Sequence, residues 1–222
     1  MSLSTASLAW VALAALILAT QHVTFDEQKA GEGPREMSCA LTGKGRAGAW
    51  TIVRDATAPS PPNVLAQTDE DPTGYRFPVC VVDAISATDV DVSVRFKPVR
   101  GAADQAAGLV WRYQDQDNYY LLRANALENN LVLYKVEAGK RSDLKPKGSG
   151  MFAYGKKAKV PSHVWGTLRV TAKDSLFEAY LNGEKLFEVE DQTFTAAGKI
   201  GVWTKADSVS YFDDLRIVPV AK

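Results

Sequence analysis

Asp89–Phe96 reads DVDVSVRF, with Val90, Val92, Val94 and Phe96 alternating strictly against Asp89, Asp91, Ser93 and Arg95. A period of two is the pattern of a half-buried strand. Moving outward, FPVCVVDA (Phe77–Ala84) lies upstream and reads as a core strand, and AGLVWRY (Ala107–Tyr113), NYYLLRAN (Asn118–Asn125) and NLVLYKVE (Asn130–Glu137) lie downstream. Further on come WGTLRVTA, SLFEAYL, EKLFEVE, GKIGVW and SVSYFDDLRIVPV. Asn182-Gly183 separates SLFEAYL from EKLFEVE. Asn-Gly between two such runs predicts a hairpin, because a type I′ turn needs positive φ at both central residues. Gly139 marks a second hairpin. From Gln21 onward no helical stretch appears, so many short strands at this spacing imply an all-β sandwich or jelly roll, one domain over residues 21–222. Two stretches are irregular: Ala56–Asp71, a surface crossing containing the short strand NVLAQ, and Lys145–Pro161, a Lys- and Gly-rich loop.

The chain has 222 residues, 26 Lys+Arg against 26 Asp+Glu, and 46% hydrophobic residues. Zero net charge argues against gripping nucleic acid or an anionic membrane by bulk electrostatics. Residues Leu8–Ala19 (LAWVALAALILA) form an apolar run of signal-peptide length. They predict a cleaved segment over residues 1–20, an extracytoplasmic protein, and no membrane contact beyond that segment. In an oxidising compartment Cys39 and Cys80 pair or stay as two buried thiols, and both readings are open.

Established catalytic patterns are scarce. His22 and His163 are the only histidines, and neither accompanies a GxSxG elbow. Asp115–Asn118 (DQDN) lacks the glycine and distal glutamate of a calcium loop. Asp89/Asp91 and Glu188/Glu190 sit i and i+2 on strands, about 6.6 Å apart by strand rise, which suits glycosidase carboxylates and equally any solvated face. Asp26 with Asp213 or Asp214 is a candidate structural calcium set, since terminal strands often pair in jelly rolls. No other cofactor is expected.

The hairpin after Ala107 carries the candidate binding face. A turn at Asp115–Asn118 places Gln114 opposite Tyr119 and Arg112 opposite Leu121. One face then holds Trp111, Tyr113, Tyr120, Leu122 and Ala124, and reads as core. The other holds Arg112, Gln114, Tyr119, Arg123 and Asn125, planar donors beside a ring, a set suited to sugar hydroxyls. Trp203, Lys205 and Asp207 in the WTKADS turn are a candidate rim, or a structural turn packing a core tryptophan.

The strings from Ala107 to Arg141, Trp165 to Phe194 and Ala197 to Ile217 resemble concanavalin A-like jelly-roll proteins. More closely they resemble the exported bacterial group with the 3-keto-disaccharide hydrolase domain. The resemblance implies carbohydrate work outside the cytoplasm. In enzyme members it implies proton abstraction beside a keto group, with a base and an oxyanion stabiliser. Arg112 matches the arginine ending the corresponding family strand, but Tyr119–Arg123 carries no acid where the family has one. The reading that leads is a non-catalytic glycan-binding domain. Its alternatives are a hydrolase of 3-keto-disaccharides or related glycosides, and a structural envelope protein.

Overall fold

The computed structural model describes residues 20–220. The apolar run Leu8–Ala19, and with it the signal-peptide expectation, lies outside the described residues. Sixteen strands follow one another. The first eight are β1 (Gln21–Val23), β2 (Met37–Gly43), β3 (Trp50–Arg54), β4 (Asn63–Gln67), β5 (Arg76–Ala87), β6 (Val90–Arg100), β7 (Ala106–Asp115) and β8 (Asn118–Asn125). Then come β9 (Asn130–Glu137), β10 (Lys140–Leu144), β11 (Lys156–Lys157), β12 (Gly166–Lys173), β13 (Leu176–Leu181), β14 (Glu184–Glu190), β15 (Gly198–Thr204) and β16 (Val209–Pro219). No helix occurs among the described residues.

The strands form two eight-stranded antiparallel sheets, a jelly-roll sandwich. The first runs β14-β13-β12-β6-β16-β4-β3 with β1 added to β16, and the second runs β10-β9-β8-β7-β15-β5-β2 with β11 added to β9. The alternating strand sits at the centre of the first sheet, between β12 and β16. Val90, Val92, Val94 and Phe96 point into the core, each at most 2% exposed, while Asp91 pairs with Arg169 on the outer face. Asn182 and Gly183 have φ of 51° and 87°, and Ala138 and Gly139 have 48° and 74°, so both expected hairpins form. NVLAQ is more than a surface strand, because all five residues of β4 are buried between β3 and β16.

The core between the sheets takes Val82, Leu109, Trp111, Tyr120, Leu122, Leu133 and Val202 from the second sheet. From the first it takes Ile52, Leu65, Val170, Phe177, Phe212 and Ile217. Cys39 on β2 and Cys80 on β5 are directly opposite and joined by a disulfide. The bond closes a sequence separation of 41 residues, which the loop-entropy relation values at about 4 kcal/mol. Urea unfolding of the Cys39→Ser/Cys80→Ala double variant is expected to show a loss approaching that size, and reductant should destabilise the parent but leave the variant unchanged.

Candidate functional site

Residues of one parity on the second sheet face the core, and those of the other parity face away from it. The second set includes Phe77, Val79 and Val81 on β5, Val110 on β7, Tyr119 and Leu121 on β8, Val132, Tyr134 and Val136 on β9, and Trp203 on β15. They form a second apolar cluster in which no member exceeds 2% exposure. An outward face this dry needs cover, and the sheet supplies it by curling. The Arg141 guanidinium carbon, on edge strand β10, lies 4.5 Å from the ring centre of Phe77 on β5, although β9, β8, β7 and β15 intervene. In a flat sheet those strands would stand roughly 24 Å apart, at ~4.8 Å per step. The same carbon is 4.6 Å from Tyr134 and 5.9 Å from Trp203.

The curl is fastened at its mouth. Tyr75, just before β5, donates its hydroxyl to the Gly139 carbonyl at 2.9 Å and accepts the Arg141 N–H at 2.8 Å. Across the mouth, the Tyr154 and Tyr134 hydroxyls are hydrogen-bonded. Tyr75, in the turn before β5, and Tyr154, in the loop before β11, are 42% and 46% exposed, so the lip carries two accessible tyrosines, Tyr75 bonded to the Arg141 backbone and Tyr154 to Tyr134. Burial pushes the Tyr134 hydroxyl up, and the bond to Tyr154 adds to that, against Arg123 and Arg141.

A polar chain closes one end of the hollow. Arg123, fully buried, reaches Glu128 with both terminal nitrogens, at 3.2 and 2.8 Å, and Asn130 at 2.7 Å. Burial alone would raise the Glu128 carboxyl, but the Arg123 guanidinium and Asn130 hold it below its ordinary range. Asn125 donates to Asp104 at 2.6 Å and to Glu128 at 3.2 Å, and Lys205 pairs with Asp104. Asp207 accepts the N–H groups of Ala102, Ala103 and Asp104, and these bonds hold its carboxyl low against burial.

The structure thus brings together Tyr119, Arg123, Asn125, Trp203, Lys205 and Asp207, but mostly as structural members. Trp203 donates to the Tyr119 hydroxyl at 3.3 Å, which meets Thr42 at 2.9 Å, so both rings are consumed inside the hollow. Asp207 and Lys205 clamp the turn at 101–104.

Arg112 leaves the expected face altogether. Asp115 pairs with Asn118, yet Trp111 pairs with Tyr120, so three residues of β7 oppose the single residue Tyr119. The bulge is made at Arg112, whose φ is 47°. It turns Arg112 inward and Tyr113 outward, where Tyr113 packs on Tyr119 at 5.7 Å. This reverses the faces assigned from alternation, because a bulge re-aims the side chains beyond it. Arg112 then serves three segments. It donates to Thr88 O at 2.7 Å, Phe194 O at 2.8 Å and Asp174 O at 2.6 Å, and pairs with Asp89 at 3.2 Å, both side chains 1% exposed. It floors a pocket of about 200 Å³ shared with Thr88, Ser175, Gln192 and Thr195. Gln114 caps the Ala197 carbonyl at 3.1 Å. The residues that sequence reasoning missed are Tyr75, Arg141 and Tyr154. Only the placement of Gly139 as a turn bears on them, since it sets Arg141 on the returning strand.

The carboxylate sets are divided among other tasks. Asp89 pairs with Arg112 and Asp91 with Arg169, while Glu188 and Glu190 meet Lys185 and Lys147. Asp26 and Asp213 do meet, sharing Ser60 through its hydroxyl and its N–H. Burial, with Asp214 and Asp26 nearby, pushes Asp213 up to about 6. Asp214 instead bonds His22 at 3.1 Å, and no group of three or more His, Cys, Asp or Glu gathers for a metal ion among the described residues. Calcium takes six or more oxygens, and the three named carboxylates do not assemble that set.

No family model and no curated protein sequence matches the chain. Solved structures match its fold. Carbohydrate-binding module CBM66 from Bacillus subtilis superposes with a TM-score of 0.61 at 16% identity, over 80% of this chain and 92% of that one. Cellulose induced protein Cip1 gives 0.59 at 14% identity, over 83% and 92%. Domain 4 of AbnA, an extracellular arabinanase from Geobacillus stearothermophilus in complex with arabinotriose, gives 0.55 at 16% identity, over 89% and 90%. At such identities the likeness establishes the jelly-roll fold.

Truncating one member of a buried ion pair strands the other, at a cost of about 3–5 kcal/mol. Arg112→Ala is expected to lose that much in urea unfolding, and Arg112→Met/Asp89→Leu to recover the part owed to the stranded Asp89 charge but not the bonds to the Thr88, Phe194 and Asp174 carbonyls. Equal losses in both variants would show that the Asp89 charge is not what Arg112 serves.

Proposed function

We propose that the chain is a non-catalytic saccharide-binding domain whose ligand lies across the lip of the curled second sheet. The observation that carries this reading is the pair of exposed tyrosines, Tyr75 bonded to the Arg141 N–H and Tyr154 bonded to the Tyr134 ring that Arg141 packs on, above a buried aromatic bed. Rings offer a flat apolar surface to the C–H face of a sugar, and a guanidinium offers planar donors to its hydroxyls. The floor is pre-packed, so little ordering entropy opposes binding. The solved structures that share the fold include a carbohydrate-binding module and an arabinanase domain holding a trisaccharide, which is consistent with this role.

Catalysis finds less support. Glu128 is bound by Arg123 and Asp143 by Lys145 at 2.6 Å, so neither is a free base. The 3-keto-disaccharide reading would need a base near Arg112, and Asp89, its carboxylate partner there, is buried. The envelope-protein reading draws on the sealed aromatic bed but leaves the exposed lip unused. The Cys39–Cys80 disulfide suits an oxidising, extracytoplasmic compartment.

Saturation-transfer NMR with neutral oligosaccharides and a 3-keto-disaccharide separates these readings. Transfer without product peaks is expected, and turnover would overturn the proposal. Tyr154→Ala should weaken binding by about 5- to 10-fold, the worth of one stacking ring, with unchanged far-UV circular dichroism. Arg112→Lys should leave affinity alone wherever the protein is folded.

A further inference from the structure

The cations around the hollow differ in one respect. Arg123 has Glu128, Lys145 has Asp143, Lys205 has Asp104, and Arg76, at the start of β5, has Asp69 at 2.8 Å. Arg141 has no carboxylate within salt-bridge distance among the described residues, and its side chain makes no hydrogen bond to protein. Its Nη1 is fully buried without a partner, and so is Nε of Arg123. Both guanidinium carbons approach Tyr134, at 4.6 and 5.6 Å, so the two cations share one ring.

We infer that the lip selects an anionic saccharide, with Arg141 as the counter-ion for its carboxylate or sulfate ester. The inference rests on the saccharide reading above and narrows its ligand class. A guanidinium edge matches a planar oxyanion with two parallel N–H bonds, and the edge open to a ligand is Nε with Nη2, because Nη1 is buried. The aromatic bed lowers the local dielectric, so the pair would be stronger than one in water. The rings hold the fork in place before the ligand arrives, which reduces the entropy lost on binding. Arg123, Lys145, Lys205 and Arg76 are neutralised by the protein, whereas the charge on Arg141, held against the aromatic bed, is left for a ligand.

Calorimetric titration tests this with trigalacturonic acid, its trimethyl ester and a 6-sulfated galactobiose, each at 50 and 500 mM NaCl. The acid is expected to bind at least fivefold tighter than its ester at low salt, and the margin should shrink at high salt, as for any partly exposed ion pair. Arg141→Gln should bring acid and ester to equal affinity, while Tyr154→Ala weakens both and keeps their ratio. Tighter binding of the sulfated sugar than of the acid would assign the sulfate as the ligand group, with the same loss on Arg141→Gln. Equal affinity of acid and ester for the parent protein would overturn the anionic selectivity and leave saccharide binding standing. A preference that survives Arg141→Gln would overturn the role of Arg141. Absence of heat and of saturation transfer for all three sugars, in a protein with intact circular dichroism, would sink the saccharide reading itself.

Discussion

The second sheet has to bury both of its faces, and most of the molecule follows from that constraint. One face meets the first sheet. The other has no partner layer, so it can be dry only if the sheet bends until its own edge strand covers it. β5 shows the consequence in its composition, since Phe77, Val79 and Val81 point into the hollow while Cys80 and Val82 point into the sandwich. A strand wet on one side would alternate, whereas this one reads as a nearly continuous apolar run. Bending also demands close backbone approach. At Gly201, where β15 shifts register against both neighbours, a Cβ would lie 2.1 Å from the Cys80 carbonyl oxygen. At Gly108 it would lie 2.6 Å from Leu121 and 3.3 Å from Trp203, so any side chain there would press on both.

The fold was legible where the physics is local. Alternation over Val90–Phe96 reports burial of one face, and Asn182-Gly183 reports a turn that needs positive φ. Both depend on residues a few positions apart. The candidate face was less legible. Its register at the turn is the one counted from Asp115–Asn118, but the bulge at Arg112 is stabilised by Thr88, Asp174 and Phe194, which lie 24, 62 and 82 residues away. Pattern counting on the hairpin alone carries no trace of those partners. The parity of Tyr119, Arg123 and Asn125 survived because two extra residues in β7 preserve alternation on β8. Arg112 and Tyr113, inside the bulge, exchanged faces.

Arg141 is the opposite case. KRSDL has the composition of a solvated edge strand, and nothing near it in sequence marks it as central. It becomes central only when the curl carries β10 over Phe77 and Trp203. A surface charge in the chain is thereby turned into a half-buried one in the fold, and the conversion is invisible without the topology.

The choice of arginine there separates two demands on the same position. If the lid over the aromatic bed had only to exclude water, methionine or leucine would fill the space without burying a polar nitrogen. Cation–π contact returns about 0.5–2 kcal/mol and an unpaired buried donor costs about 1–3 kcal/mol, so the two terms are of similar size and as a plug the arginine has little net advantage over an apolar side chain. The same reasoning does not apply to Arg112 or Arg123, whose donors are largely met by protein acceptors and which contribute to stability by linking segments. A cation held at the mouth of a pre-packed aromatic hollow, beside two exposed rings and without a protein counter-ion, is a poor stabiliser and a well-prepared receptor. What the fold leaves open at Arg141 is a charge without a counter-ion, and an oxyanion at the lip would supply one through the edge of the guanidinium that Nη1 does not occupy.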